Sequence, residues 1–280
     1  MSEGSRSALF VPRRPASARS RIFFRVRVAV LSGILLGVVL WAWRDVHSRR
    51  ERNAWIRPLS VAIVLVRLEP LDHDAIDAFH ARVRVLDARL EEERRRYRPG
   101  APRPFVLTFV GPVDGMVGPP QTSREGWLAA AKEGWDLSRW AARVDRAANL
   151  AAGAYDSRIY VAARRPASDD RAMVEGESEQ GGRVGAVEVE LDVSMVDLAL
   201  FVAAHELFHT LRATDKYDPA GRTLVPAGLA EPHRVPRWPQ RFAEVMARNR
   251  PLAPGVEMPP ERLDELAIGE VTADEIGWRR

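Results

Sequence analysis

The chain has 280 residues, enough for one large domain or two small ones, and its apolar content of 46% is that of an ordinary globular protein. It contains no cysteine, which excludes disulfides and thiolate metal sites, so any metal ion would be held by His, Asp or Glu. The net charge of +4 is uneven, because residues 1–57 hold twelve arginines against three acids. Subtracting these from the totals of 42 and 38 leaves 30 basic and 35 acidic residues, which argues against a nucleic-acid-binding domain.

An apolar run near the N-terminus is typical of a membrane anchor. Residues 28–43 carry no charge, and the longer run 22–43 has about the twenty residues that a helix needs to cross the hydrocarbon core. Arg25 and Arg27 lie near its end and can extend to the headgroups. A signal peptide and a soluble helix are the alternatives, but no convincing small-residue cleavage site follows. We predict a basic tail at 1–21 and an uncleaved transmembrane anchor at 22–43.

The charges on either side of the anchor predict its orientation. Seven arginines precede the uncharged run, and four follow it closely. By the positive-inside rule, the denser N-terminal charge places the N-terminus in the cytoplasm. We therefore predict a single-pass membrane protein in which a linker at 44–57 leads to an extracytoplasmic domain at 58–280. The lipid bilayer is then a partner of the chain through the anchor.

The rest of the chain alternates between strand-like and helix-like patterns, which predicts an α+β fold with a mixed sheet. Short β-branched runs bounded by Pro or Gly predict strands, and apolar residues at three- and four-residue spacing predict helices. In chain order we predict a strand at 60–69, a helix at 74–98, a strand at 104–111, a helix at 137–152, a strand at 157–163, a loop at 165–182, an edge or half-buried strand at 183–193, a helix at 196–211, an irregular segment at 218–240, a short helix or turn at 241–249 and one or two closing helices at 259–278.

The predicted helix at 196–211 is apolar on nearly every side except at His205, Glu206 and His209. Residues i and i+4 share a helix face, so the two imidazoles can bind one metal ion, and neutral imidazole is a common zinc ligand. Glu206 can accept a proton from a water at that ion, as metal-assisted hydrolysis requires. The alternative is a structural helix with hydrogen-bonded histidines, but burying three ionisable groups is costly. We predict one catalytic Zn²⁺ with Glu206 as general base.

The third ligand is not given by the His-Glu-x-x-His motif, because a catalytic zinc site has three protein ligands and one open position. The chain offers four acidic candidates downstream. Asp215 and Asp218 follow the helix closely, whereas Glu231 and Glu244 lie far enough along to come from a second element. The residues alone leave this choice open.

At these positions the chain resembles the metzincin family of zinc proteases. His205, Glu206, His209 and Asp215 fit the metzincin zinc motif in its Asp-ligand form, in which the third ligand lies six residues after the second histidine. Met246, within FAEVMAR, resembles the Met-turn that underlies the zinc in that family. The resemblance covers the predicted domain. It implies a zinc-dependent endopeptidase with the two histidines and Asp215 as ligands, Glu206 as base, an active-site helix and a C-terminal helix.

One position departs from the metzincin pattern. The glycine that lets the chain turn out of the helix is Arg212 here, and a non-glycine residue adopts the left-handed conformation at a cost of about 1 kcal/mol or more. If the helix ran on past Arg212, Asp215 would face away and one of the other three acids would be the ligand. Tyr217, just beyond, is a candidate donor to the transition state, and a packed surface tyrosine is the alternative.

Together these patterns predict a membrane-anchored zinc endopeptidase. Its substrate would be a protein or peptide that enters as an extended chain beside the predicted edge strand at 183–193, since exposed strand edges pair with extended peptides. The alternative from another class is a membrane-anchored domain that binds zinc or a partner without catalysis. Glu206 separates the two, because a purely structural site has no need of a base beside a ligand.

Overall fold

The structure is a computed structural model of the chain. It describes residues 18–114, 116–120, 127–166, 176–178 and 182–279. The chain forms two compact units, Met1–Ser48 and Arg49–Arg280, and each is described by itself. Residues 1–17, most of the predicted basic tail, lie outside the described residues.

A single long helix makes up the described part of the N-terminal unit. Helix α1, Ala18–Arg52, contains the whole predicted anchor, and its last four residues belong to the second unit. Six apolar side chains between Ile34 and Leu40 are each exposed by 52–65%. Because they follow one another closely, they cover every side of the helix. A helix that is apolar all round is expected in apolar surroundings.

The second unit is built on a five-stranded sheet. Its strands are β1 (Leu59–Arg67), β2 (Phe105–Val113), β3 (Ser157–Arg164), β4 (Gly176–Ser178) and β5 (Val184–Glu190). They lie in the order β2-β1-β3-β5-β4, in which the first four are parallel and β4 is antiparallel at the edge. The fold is therefore of mixed α/β type, and the prediction of a mixed sheet is confirmed.

Helices cover both faces of this sheet. They are α2 (His73–Tyr97), α3 (Trp127–Ala147) and α4 (Val196–Thr210). Successive side chains of a strand point to opposite faces. In β1, Val61 and Ile63 join the core cluster formed with α2 and α4, whereas Ala62 and Val64 join the cluster formed with α3. Burial on both faces explains why this strand is a continuous apolar run.

Helix α4 is the core helix of the second unit. The stretch Val193–Thr210 is long and apolar enough, by length and composition, to cross a membrane. However, 67% of it is buried inside the fold, as expected for a central packed helix, so by itself it is weak support for a membrane location.

After α4 the chain forms only short regular elements among the residues described. They are β6 (Ala243–Glu244), β7 (Arg250–Ala253), β8 (Val256–Met258), a 3-10 helix (Leu263–Glu265), β9 (Leu266–Ala267) and α5 (Glu270–Glu275). Strand β6 pairs with β9, and β7 pairs with β8. The segment predicted as a short helix or turn at 241–249 is thus a strand and a turn. Of the predicted closing helices at 259–278, only the six residues of α5 are α-helical.

The strand predicted at 183–193 is confirmed as β5, but its predicted edge or half-buried position is wrong, because β5 is an interior strand. It pairs with β3 on one side and with β4 on the other, and all but one of its residues are buried. The edge strand next to β5 is β4, which lies inside the segment predicted as a loop at 165–182. Three residues are too few to produce an alternating pattern that a sequence could show.

Two predicted boundaries also differ from the structure. Helix α3 begins at Trp127, ten residues before its predicted start. The predicted linker at 44–57 is helical as far as Arg52, and the compact unit already begins at Arg49. Trp55 is only 7% exposed and packs edge-on against two aromatic rings of the core. The end of this segment therefore belongs to the domain.

Candidate metal centre

Close packing against β5 sets the position of α4 at the motif. A Cβ atom added at Gly185 would lie 3.0 Å from Ile159 Cδ1 and 3.1 Å from the Cβ of Glu206, which is tighter than ordinary contact. The glycine therefore lets the helix approach the sheet at the predicted base, which is only 2% exposed. Sequence reasoning missed this residue, because a glycine in a strand indicates a close approach without naming the partner.

The chain turns sharply at the end of α4. Arg212 has a φ of 77°, which is the left-handed conformation. The Ala213 N–H donates to the Phe208 carbonyl at 3.1 Å, and the Arg212 N–H donates to the His209 carbonyl at 2.9 Å. These two bonds form a Schellman motif, with arginine at the position that glycine usually holds. The helix therefore ends early enough for Asp215 to turn back toward the two histidines, although Arg212 replaces the glycine of the metzincin pattern.

Three side chains converge beyond this turn. The Nε2 atoms of His205 and His209 lie 3.0 Å apart, and Asp215 Oδ1 lies 3.3 Å from the first and 3.1 Å from the second. Ligand atoms about 2.0–2.1 Å from one zinc ion, in a tetrahedron, lie about 3.3 Å from one another. The triangle of these three atoms therefore has the size that a single such ion spans.

Backbone carbonyls orient both imidazole rings. His205 Nδ1 lies 2.9 Å from the Val245 carbonyl oxygen, and His209 Nδ1 lies 3.0 Å from that of Ala213. A carbonyl only accepts, so each Nδ1 carries a proton and each Nε2 faces the triangle. Metal-binding histidines are commonly held in this way. Sequence reasoning missed Val245 and Ala213 because they act through backbone atoms, which leave no side-chain signal.

Glu206 lies beside the triangle. One of its carboxylate oxygens and one ring nitrogen of each histidine all lie within 4.8 Å of one another, so His205, Glu206 and His209 form a group that could hold a metal ion. A general base must be within about 2.6–3.2 Å of the proton donor it serves. A water between the carboxylate and the histidine nitrogens would meet that condition.

The charges at the site shift the pKa of its ionisable groups. Burial alone would raise the pKa of Asp215, but the hydrogen bonds and positive charge of the two histidines lower it well below its usual range. Burial alone would lower the pKa of His205, but the hydrogen bond to Asp215 and the negative charge of Glu206 raise it. Asp215 is therefore ionised at neutral pH, which is the form that binds a metal ion.

The three alternative third ligands are engaged elsewhere. Asp218 closes its own turn by accepting from two backbone N–H groups at 2.9 and 3.0 Å. Glu231 is paired with Arg241 at 2.5 Å. Glu244 is completely buried and accepts from backbone N–H groups. Of the four acidic candidates, the structure brings only Asp215 to the two histidines.

Glu244 braces the turn that holds His205. Its carboxylate accepts from the N–H groups of Met246 at 2.6 Å and Ala247 at 3.0 Å, and from one further N–H at 3.1 Å. Burial raises the pKa of Glu244, an effect that these hydrogen bonds partly offset. The same turn directs the Val245 carbonyl at His205. Met246 is completely buried next to it.

We expect Glu244→Ala to lower the free energy of unfolding by about 3 kcal/mol, because three buried N–H groups lose a carboxylate acceptor at once. Urea unfolding measures the loss. Glu261→Ala is the matched control, since its side chain is exposed, and it should change the free energy of unfolding by about 0.5 kcal/mol or less. Equal effects of the two substitutions would rule out the bracing role.

Tyr217 belongs to the site rather than to the open surface. Its ring stacks on that of His205, with centroids 6.2 Å apart. Burial and the neighbouring carboxylate of Asp215 raise the pKa of Tyr217 to about 12. The phenol therefore stays protonated at neutral pH, as its predicted role as a donor needs.

We expect Arg212→Gly to raise the free energy of unfolding by about 0.5–1 kcal/mol, because glycine adopts the left-handed conformation without the steric cost that arginine bears. Thermal unfolding measures the gain. Arg237→Gly is the control, at an exposed position outside the left-handed region, and it should give no gain. A loss of stability in Arg212→Gly would show that the turn is not strained.

No protein-family model and no curated protein matches the chain. The description of the site therefore rests on the elements of this chain that supply its residues. Helix α4 supplies His205, Glu206 and His209, the Schellman turn supplies Asp215, and the turn after β6 supplies the carbonyl that orients His205.

Proposed function

We propose that the chain is a membrane-anchored zinc endopeptidase. The observation that carries this proposal is the triangle of His205 Nε2, His209 Nε2 and Asp215 Oδ1, whose edges measure 3.0–3.3 Å. Two neutral imidazoles and one carboxylate are a donor set that suits zinc, and three protein ligands leave a fourth position open for catalysis. The carboxylate of Glu206 beside the triangle favours an enzyme over a purely structural zinc site.

His205, His209 and Asp215 would hold the ion, and Glu206 would move the protons. A zinc ion bound there supplies Lewis-acid chemistry, polarising the scissile carbonyl and lowering the pKa of a water to about 7. Glu206 accepts a proton from the attacking water and passes it to the leaving amine as the peptide C–N bond breaks. Tyr217 donates a hydrogen bond to the oxygen on which negative charge develops.

The metzincin resemblance supports the same function. Asp215 reaches the two histidines through a left-handed turn at Arg212, the position at which the family pattern has glycine. Met246 is buried in a turn whose neighbouring carbonyl contacts His205, which agrees with a Met-turn beneath the metal.

The substrate in this proposal is an extended protein or peptide chain that binds at the sheet edge. At the side of the sheet near β5 the edge strand is β4, so the substrate would pair with β4. Strand β4 adjoins β5 at Gly185, the residue that packs against Glu206, which relates the edge to the base.

The proposed membrane anchor is the run 22–43 within α1. The exposure of its apolar side chains on every side supports insertion into a bilayer. The greater density of arginines before the run favours a cytoplasmic N-terminus and an extracytoplasmic catalytic domain.

Casein cleavage by the purified full chain tests the proposed function, with new peptide termini followed by mass spectrometry. We expect cleavage that 1,10-phenanthroline abolishes and that added zinc restores. If the zinc-loaded chain cleaves nothing, the alternative of a non-catalytic anchored zinc-binding domain replaces the enzyme. If cleavage persists in excess chelator, zinc is not the catalytic metal.

A further inference from the structure

Asn53, which directly follows α1, donates a hydrogen bond to the helix that carries the metal site. Its Nδ2 lies 3.1 Å from the carbonyl oxygen of Leu211, the C-cap of α4. The last carbonyls of a helix have no partner within the helix. The Schellman bonds satisfy those of Phe208 and His209, and Asn53 satisfies that of Leu211. A residue 158 positions away therefore completes the end of the helix.

This hydrogen bond acts on the left-handed turn. The Leu211 carbonyl belongs to the peptide group that joins it to Arg212, so fixing its direction restrains rotation about the Arg212 N–Cα bond. That rotation is φ, whose value of 77° is unfavourable for arginine. The conformation of this turn also sets two contacts of the site. It positions the Ala213 carbonyl next to Nδ1 of His209, and it positions the Asp215 carboxylate next to both histidines.

The neighbours of Asn53 hold it in place from both sides. Arg52 donates to the Gly182 carbonyl at 2.8 Å in a buried contact. Trp55, which is 7% exposed, donates from Nε1 to the Ile276 carbonyl at 2.7 Å. The Trp55 ring packs edge-on against two aromatic rings of the core. The Asn53 backbone therefore lies between two fixed points.

We propose that Asn53 is a positioning residue for the metal centre, and that the strap formed by residues 52–55 couples the end of α1 to the turn that delivers Asp215. The inference rests on the proposed metal site, and Asn53 would act on it through the Leu211 carbonyl, to which its side chain donates. Residues 52–55, which the sequence predicts as part of a linker, would thus contribute to metal binding.

The test compares Asn53→Ala with Asn53→Gln in the full chain, using zinc affinity and the visible absorption spectrum of the cobalt(II)-loaded protein. Cobalt absorption depends on ligand geometry, so it responds to a shifted Asp215 but not to a general loss of stability. We expect Asn53→Ala to weaken zinc binding about tenfold and to change the cobalt spectrum, as loss of outer-shell partners does. Asn53→Gln keeps an amide donor and should stay close to the unsubstituted protein.

Arg212→Gly makes the test sharper, because glycine holds the turn without help. In that background Asn53→Ala should weaken zinc binding by about twofold or less, since coupled residues have non-additive effects. An equal loss in both backgrounds, identical behaviour of Asn53→Ala and Asn53→Gln, or an unchanged cobalt spectrum in Asn53→Ala would overturn the positioning role. An unsubstituted chain that binds no metal would overturn the proposed function and this inference with it. That result is seen without any variant, so it can be told apart from failure of the positioning role alone.

Discussion

Replacing Glu206 by glutamine is expected to abolish peptide hydrolysis while zinc stays bound. The amide keeps the shape of the side chain but cannot accept a proton from the attacking water, so kcat should fall by roughly 10²–10⁴-fold. Glu206 contributes no atom to the donor triangle, so the zinc content should be unchanged. Elemental analysis and casein hydrolysis on the same preparation measure both effects.

The matched control for this substitution is Glu261→Gln, at an exposed acid, which should keep both zinc and activity. Loss of zinc from Glu206→Gln would make the carboxylate a ligand rather than the base. Hydrolysis by Glu206→Gln at the unsubstituted rate would show that Glu206 is not the general base. The argument that favours an enzyme over a structural zinc site would then fail.

Replacing Asp215 by alanine is expected to release the metal. The substitution removes a charged donor atom 3.1–3.3 Å from both histidine nitrogens, so it should weaken zinc binding by more than the roughly 10–100-fold that loss of an outer-shell partner causes. Competition with a coloured chelator measures the affinity, and hydrolysis should be lost in parallel.

Asp218→Ala is the control for this second prediction, because Asp218 has the same side chain, lies three residues further on and is an alternative ligand by sequence. Its carboxylate closes a local turn, so zinc affinity should change little when it is removed. Zinc loss from Asp218→Ala together with retention in Asp215→Ala would mean that the chain leaves α4 by a different path.

The motif helix and its chemistry could be predicted because each depends on local periodicity. The spacing of His205 and His209 places both imidazoles on one face wherever the helix lies, and the burial of such an apolar helix follows from its composition. The same holds for β1, whose unbroken apolar run matches its burial on both faces. These features need no knowledge of distant contacts.

The parts that could not be predicted depend on distant contacts. Arginine does not favour the left-handed conformation, so the sequence around Arg212 does not predict it, and the amide of Asn53 that supports the turn lies 158 positions away. Spacing alone cannot tell that Glu244 braces a turn rather than binding a metal ion, because that depends on which N–H groups surround its carboxylate. A three-residue edge strand such as β4 carries too little pattern to be seen.

The burial of the strap at 52–55 could not be predicted from the sequence either. Its residues stand in a charged, polar stretch that is typical of a linker, yet Trp55 is buried. Only the partners at Leu211 and Ile276 reveal that the segment belongs to the domain.

The zinc content of the purified full chain, compared with that of His209→Ala, tests the metal centre most directly. We expect one zinc ion per chain in the unsubstituted protein. We expect almost none in His209→Ala, because the triangle then loses one of its three donor atoms. No stoichiometric metal in the unsubstituted chain after exposure to zinc, or equal zinc in the two proteins, would contradict the assignment of His205, His209 and Asp215 as a zinc site.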